Sequence, residues 1–198
     1  MAQLARNAEY TAILLAAGSG SRFDPMGRSN KLLAPLADGS AVAVASAASL
    51  LAIMPHVLAV VRPGADQLGA ELRAIGCDVT ICAQADEGMG ASLAHAISQT
   101  SEAPGWVVAL ADMPYLKPTT IRALLDALRG GADIAGPVYN GRRGNPVAFG
   151  RLHLARLQAL SGDVGARSLL QAFPVKLVEV DDPGVHLDID LPQDLQFH

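Results

Sequence analysis

AILLAAGSGSRFDPMGRSNKLL, residues 12–33, is the stretch whose reading decides the fold. Its first six residues, 12–17, are an unbroken apolar run of the length of a strand buried on both faces. The run breaks at Gly18-Ser19-Gly20, where two glycines let the backbone turn sharply and bring N–H groups close to a ligand. Arg22 and Lys31 follow as fixed cations. A buried strand, a glycine turn and two cations suit a triphosphate, which needs a nest of N–H donors and point charges. The plain alternative is a glycine-rich turn after a first strand. The loop is not a Walker A sequence, because Gly27 is followed by Arg28-Ser29. Nor is it a full dinucleotide fingerprint. Phe23 stands where a third glycine belongs, and the next strand ends in Val60-Val61-Arg62 without an acidic residue for a ribose.

Around this stretch the chain has 198 residues, 51% of them hydrophobic, which predicts one α/β domain over residues 1–198 with a sizeable core. The net charge of −4 and the lack of a basic stripe speak against nucleic-acid binding. Cys77 and Cys82 do not form a CxxC pair and read as buried, reduced thiols. Residues 41–61 are apolar enough to suggest a membrane span, but Ser46, Ser49, Pro55 and His56 interrupt them. No secretory signal precedes the first strand, so a soluble, cytoplasmic protein without a membrane partner is expected. The histidines, His56, His95, His153, His186 and His198, show no ligand spacing and read as surface or satisfied groups.

Strands and helices then alternate, which predicts a mostly parallel, right-handed sheet. Ser40 is placed to cap a helix over 41–54, ended by Pro55 before a strand at 57–61. A helix over 66–75 ends at Gly76, and a short strand covers 78–82. Gly88-Met89-Gly90 leads into a helix from about 91 to 99. That helix start offers free N–H groups, with Ser92 as the direct contact, or is an ordinary connection. A strand over 106–110 ends at Asp112, the position where open α/β sheets bind ligands. Asp112 suits a hard divalent cation shared with phosphate oxygens; capping of the helix over 118–128 is the competing role, but Asp112 lies too early in the chain for it. The polar loop 140–146 between strands at 133–139 and 147–149, and the loop 161–165 after a helix over 151–160, supply Arg142, Arg143, Asn145, Asp163 and Arg167. These could wall an anionic second substrate or be solvated loop residues. A helix over 166–172 and a strand over 175–180 follow. In the extended 187–191 segment Asp188 and Asp190 share one face, and Pro192 opens a closing helix. Asp190 or Leu191 could cap that helix, and Asp190 is read as a second metal carboxylate, as the cap, or as both.

Four motifs, LLAAGSGSRF with NKLL, LADMP, RRGNPVAF with SGDVGARSLL, and LDIDLPQDL, occur in this order. Together they resemble the MobA-like nucleotidyltransferases, and within them the molybdenum cofactor cytidylyltransferases, over about residues 10–197. The resemblance implies a three-layer α/β/α, Rossmann-like fold of the nucleotide-diphospho-sugar transferase type. It implies attack by a molybdopterin phosphate on the α-phosphorus of CTP, with release of pyrophosphate. It also implies Mg²⁺, with Mn²⁺ as the other candidate, and a molybdenum hydroxylase or its maturation chaperone as a further partner. Residue by residue, Leu15, Ala16, Ala17, Gly18, Ser19 and Gly20, with the catalytic Arg22 and Lys31, would hold the triphosphate. Arg62, Gly90 and Ser92 would line the base and sugar side. Asp112 would be catalytic and, with Asp190, bind the metal, while Asn145, Asp163 and Arg167 would face the second substrate. The sequence departs from the family in a longer Arg22–Lys31 spacing, where Arg28 could take part of the lysine's role, and in Leu191 where the family has Thr. GTP in place of CTP, another phosphorylated acceptor, an NAD(P)-dependent oxidoreductase and a non-catalytic cofactor chaperone are the alternatives.

Overall fold

The apolar run at 12–17 contains no polar alternation because both of its faces are covered. In the computed structural model, which describes residues 9–18, 20, 22–24, 26, 29–163 and 165–196, it forms strand β1 (Thr11–Ala16). Ala12, Leu14 and Ala16 enter one core, and Ile13 enters the other. The same division holds along β4 (Gly105–Leu110), where Val107 and Ala109 face one way and Trp106 and Val108 the other. The first core is completed by α1 (Val42–Leu51), α2 (Asp66–Ala74) and α4 (Pro118–Arg129), through Leu50, Leu68, Leu72 and Leu124. The second is completed by α3 (Met89–Gln99) and the short α5 (Leu154–Gln158) and α6 (Arg167–Ala172), through Leu93, Ile97, Leu157 and Leu169. Helices on both faces of one sheet make the three-layer arrangement that the sequence implied.

The sheet runs β3 (Asp78–Ile81), β2 (Val57–Val61), β1, β4, β7 (Val147–Gly150), β5 (Ile134–Tyr139). Strand β6 (Arg142–Arg143) pairs antiparallel with the far end of β5, and β8 (Lys176–Glu179) lies parallel along the other side of β5. Strands β3, β2, β1 and β4 are mutually parallel, but β7 is antiparallel to both of its neighbours. The reversal follows from the connection: no helix separates β5 from β7, and the chain turns at Asn140-Gly141, both at positive φ (51° and 73°). That is the geometry a right-twisted hairpin favours.

Several local expectations change. Ser40 does not cap α1; its N–H and Oγ donate to Asp38 at 2.9 and 2.6 Å, closing the preceding turn. Helix α1 stops at Leu51 rather than 54, because Met54 drops into the core ahead of Pro55. The helix expected over 151–160 is a 3₁₀ turn (Arg151–His153) followed by α5. His153 is neither exposed nor satisfied: it is buried between Phe149 and Phe173, with Nδ1 unpartnered. Cys77 and Cys82 are free and buried as expected, and burial pushes the Cys77 thiol up to about 11. No helix among the described residues is long and apolar enough to cross a membrane.

Candidate active site

The parallel strands β1 and β4 end side by side, with Leu15 in register with Leu110 and the Ala111 N–H donating to Leu15 O at 3.1 Å. Neighbouring carboxyl ends open a crevice in such sheets. Here the cleft has a volume of about 720 Å³. Leu15, Ala17, Gly18 and Gly20 line it from the first loop, and Asp112 from the end of β4. Ala16 faces the core instead, at 2% exposure. Ser19 lies outside the described residues, as does Arg28.

The spacing between Arg22 and Lys31 is absorbed by Asp24. Its carboxylate accepts from Met26 N (2.9 Å), Ser29 N (2.8 Å) and Ser29 Oγ (3.0 Å), folding the insertion back on itself. Asn30 then caps the 3₁₀ turn Lys31–Leu33 by accepting from Leu32 N at 3.0 Å. Gly20, at φ +64°, brings its backbone beside the Lys31 stem. Lys31 therefore reaches the end of β4 despite the longer loop. Its Nζ donates to Asp112 Oδ2 at 2.6 Å and to Asp190 Oδ1 at 3.2 Å.

Asp190 arrives from the other end of the chain by a chain of fixed contacts. The buried Asp182 accepts from Lys117 N (2.9 Å), Thr120 Oγ1 (2.6 Å) and Gly184 N (2.9 Å), tying the 3₁₀ turn Pro183–His186 to the start of α4. Gly184 and Gly144 have no room for a side chain: a Cβ would lie 2.2 Å from Tyr115 O and 2.4 Å from Val185 O, respectively. The Ile189 N–H then donates to Asp112 O at 2.8 Å, setting Asp188 and Asp190 beside Asp112. Asp190 does not cap the closing turn Pro192–Gln196. The relation is reversed, with Asp194 Oδ2 accepting from Asp190 N (2.9 Å) and Leu191 N (2.7 Å). Arg22 makes a second ion pair with Asp190.

The other wall is the start of α3, where Gly88, Met89 and Ser92 line the cleft. Gly88 sits at φ 121° and ψ −178°, a region open essentially to glycine alone. Ser161, Gly162 and Asp163 pack directly onto this helix start: Gly90 N donates to Gly162 O at 2.7 Å, and Asp163 lines the same cleft. Asp163 thus joins the α3 side, whereas Asn145 and Arg167 are not among the lining residues. Gly90 is held against Ser161 and Gly162 rather than facing the cleft. Arg62 forms an ion pair with Asp86, which lines the cleft. Asp86 and Phe23 are not individually legible as site residues in the sequence, and Met89 is so only as part of the Gly88-Met89-Gly90 turn that opens α3; Asp86, beside that glycine loop, carries a usable signal.

The cleft is dominated by negative charge. Asp86, Asp112, Asp163, Asp188 and Asp190 line it against Arg22 and Lys31. A polyphosphate entering such a cleft is repelled unless a cation comes with it. Among the described residues Asp112 Oδ1 is buried and has no hydrogen-bond partner, a costly state for a carboxylate oxygen unless a ligand uses it. The residues present therefore fit a divalent cation. Among the described residues no three His, Cys, Asp or Glu side chains form a complete cage. A hard ion held by one or two carboxylates and completed by water and phosphate matches that donor set.

Burial pushes the Asp188 carboxyl above its usual range; a backbone hydrogen bond and Lys31 oppose the shift, and the Asp112 and Asp190 charges reinforce it. A carboxyl raised in the folded state gives stability that is complete below its unfolded value and is lost as pH rises through the folded one. Asp188 as a residue is exposed, so solvent screens much of this effect: Asp188→Asn should melt slightly above the parent at pH 7 and flatten the fall in stability above pH 4. Calorimetric melts across pH 3–8 check this, and an unchanged profile refutes it.

Residues 12–180 match the family model of the MobA-like NTP transferase domain. Nicotine blue oxidoreductase of Paenarthrobacter nicotinovorans is 30% identical over 190 residues, covering 91% of each chain. The crystal structure of Rv0371c from Mycobacterium tuberculosis aligns with a TM-score of 0.82 at 28% identity, covering 94% of this chain and 95% of that one. A complex of Rv0371c with manganese aligns at 0.78 and 26% identity, over 94% and 95% of the two chains.

Proposed function

The chain belongs to the MobA-like NTP transferase family, and from that premise we propose that it transfers CMP from CTP to the phosphate of molybdopterin and releases pyrophosphate. The observation that carries this reading is the set Lys31, Asp112 and Asp190, with the unpartnered Asp112 Oδ1, beside the glycine turn at the end of β1. The backbone N–H groups around Gly18 and Gly20 bind phosphate oxygens, and Arg22 and Lys31 offset the charge of the leaving pyrophosphate. Asp112 and Asp190 hold a divalent cation, Mg²⁺ or Mn²⁺; manganese in the Rv0371c complex supports a metal of this class. When bound, that cation supplies charge neutralisation at the α-phosphate.

The start of α3, with Ser92 and Asp163, faces base and sugar, and Arg62 acts from the rim through Asp86. Asn145 and Arg167, outside the cleft lining, are assigned to the larger acceptor. The nucleophile is already an anion, so positioning and charge stabilisation suffice and no strong general base is needed. CTP is chosen over GTP because Asp188-Ile189-Asp190, with carboxylates on both sides of Ile189, resembles the cytidylyl branch more than the guanylyl branch. The product would pass to a molybdenum hydroxylase or its maturation chaperone in the cytoplasm.

A second reading has a specific observation behind it, the match to nicotine blue oxidoreductase. An NADH-dependent reaction would need a ribose carboxylate after β2, where Arg62 stands; an arginine suits the 2′-phosphate of NADPH, so what speaks against that cofactor is Phe23 in place of the third fingerprint glycine. Calorimetric titration with CTP, GTP, ATP and NADPH, with and without Mg²⁺, separates the readings. CTP binding that depends on Mg²⁺ is expected. GTP preference moves the protein to guanylyl transfer by the same chemistry, and binding of NADPH alone overturns nucleotidyl transfer.

A further inference from the structure

The ammonium of Lys31 stands between the two carboxylates that the proposed function gives to a metal. It is 2.6 Å from Asp112 Oδ2 and 3.2 Å from Asp190 Oδ1, and its side chain is only 11% exposed. Asp112 is similarly enclosed, at 19%. In so little water a unit charge needs a partner, and a partner once made is not freely exchanged for solvent. We infer that Lys31 is the resident counter-ion of this carboxylate pair, so that a divalent cation enters together with a triphosphate and not before it.

Two cations drawn to the same pair of carboxylates repel each other at close range, and with so little water nearby that repulsion is weakly screened. A triphosphate changes the balance because it brings negative oxygens to the mouth of the Gly18–Gly20 turn, on the side from which the Lys31 stem approaches. Lys31 can then exchange Asp112 and Asp190 for phosphate, and the carboxylates exchange ammonium for the metal. Arg22, paired with Asp190 from a side chain 77% exposed, can make the same exchange at little cost. Each partner leaves the other better disposed towards its ligand, so metal and nucleotide binding are reciprocally coupled. A lysine suits this role because its single charge sits on a flexible four-carbon stem.

The inference rests on the nucleotidyl-transfer reading only for the identity of the second ligand; its test reads metal binding without turnover. Mn²⁺ is titrated into the nucleotide-free protein, with bound ion followed by electron paramagnetic resonance, for the parent, Lys31→Met, Lys31→Gln and Lys31→Arg. The parent and Lys31→Arg are expected to bind weakly, whereas Lys31→Met and Lys31→Gln bind at least tenfold more tightly. Adding Asp112→Asn to Lys31→Met should abolish that gain. Mn²⁺ should also raise the melting temperature of the two neutral variants and leave the parent unmoved, which identifies a variant that has failed to fold. Equal Mn²⁺ affinity in the parent and in folded Lys31→Met or Lys31→Gln overturns the inference, since the ion would then use Asp112 Oδ1 with Lys31 in place. That result leaves nucleotidyl transfer standing. Absence of CTP turnover in the parent, conversely, removes the proposed function without touching the Mn²⁺ comparison.

Discussion

Asp112→Asn is expected to slow pyrophosphate release from CTP by about a hundredfold or more, while CTP affinity falls by less than about tenfold. The substitution keeps the size and one carbonyl oxygen of the side chain but removes its charge. On the proposed reading, nucleotide recognition is distributed over the glycine turn, Arg22, Lys31 and the start of α3, so ground-state binding should survive the loss of one carboxylate. On the same reading, transition-state charge is concentrated at the α-phosphate, where a metal held by Asp112 would act. A hundredfold loss corresponds to about 2.7 kcal/mol of transition-state stabilisation. Steady-state kinetics at saturating Mg²⁺, paired with calorimetry of CTP binding, measures both quantities. Turnover within a few-fold of the parent would remove Asp112 from the reaction.

Asp182→Ala is expected to have the largest effect on stability, about 3–5 kcal/mol. Asp182 is 1% exposed and accepts from two backbone N–H groups and the Thr120 hydroxyl. Truncation leaves Lys117 N, at the start of α4, without its acceptor and opens a cavity beneath the Pro183–His186 turn. A domain of ordinary stability, about 5–15 kcal/mol, would lose a large part of its margin. Urea unfolding should show a lower midpoint with an unchanged slope. Because this turn delivers Ile189 to Asp112, the folded fraction should also bind CTP with Mg²⁺ less tightly. A midpoint shift worth less than about 1 kcal/mol would show that the turn is held by the Gly184–Tyr115 packing instead.

The half of the fold that follows buried-strand and helix rhythm was legible. Strand β1 could be read because an apolar run with no alternation has few uses other than a strand covered on both faces, and Asp112 because it ends another such run. The antiparallel β7 is less visible: Asn140-Gly141 is a strong hairpin signal, but the arginines after it equally suit a ligand-binding loop. The tether at Asp182 could not be read at all. Its partners Lys117 and Thr120 lie more than sixty residues away in the chain, and nothing local distinguishes it from the exposed Asp181. The same holds for the capping of Asp190 by Asp194, where two carboxylates four residues apart exchanged the roles that sequence order suggested. The burial of His153 is not legible locally because it depends on Phe173, twenty residues on, closing over it.

The most direct measurement is pyrophosphate release when the protein is mixed with CTP, Mg²⁺ and molybdopterin, with NADPH oxidation followed in parallel at 340 nm. Stoichiometric pyrophosphate with a CMP-bearing pterin product, and no change in NADPH, is the expected result. No pyrophosphate from any nucleoside triphosphate, together with NADPH consumption on an electron acceptor, would contradict nucleotidyl transfer and place the cleft's carboxylates in another chemistry.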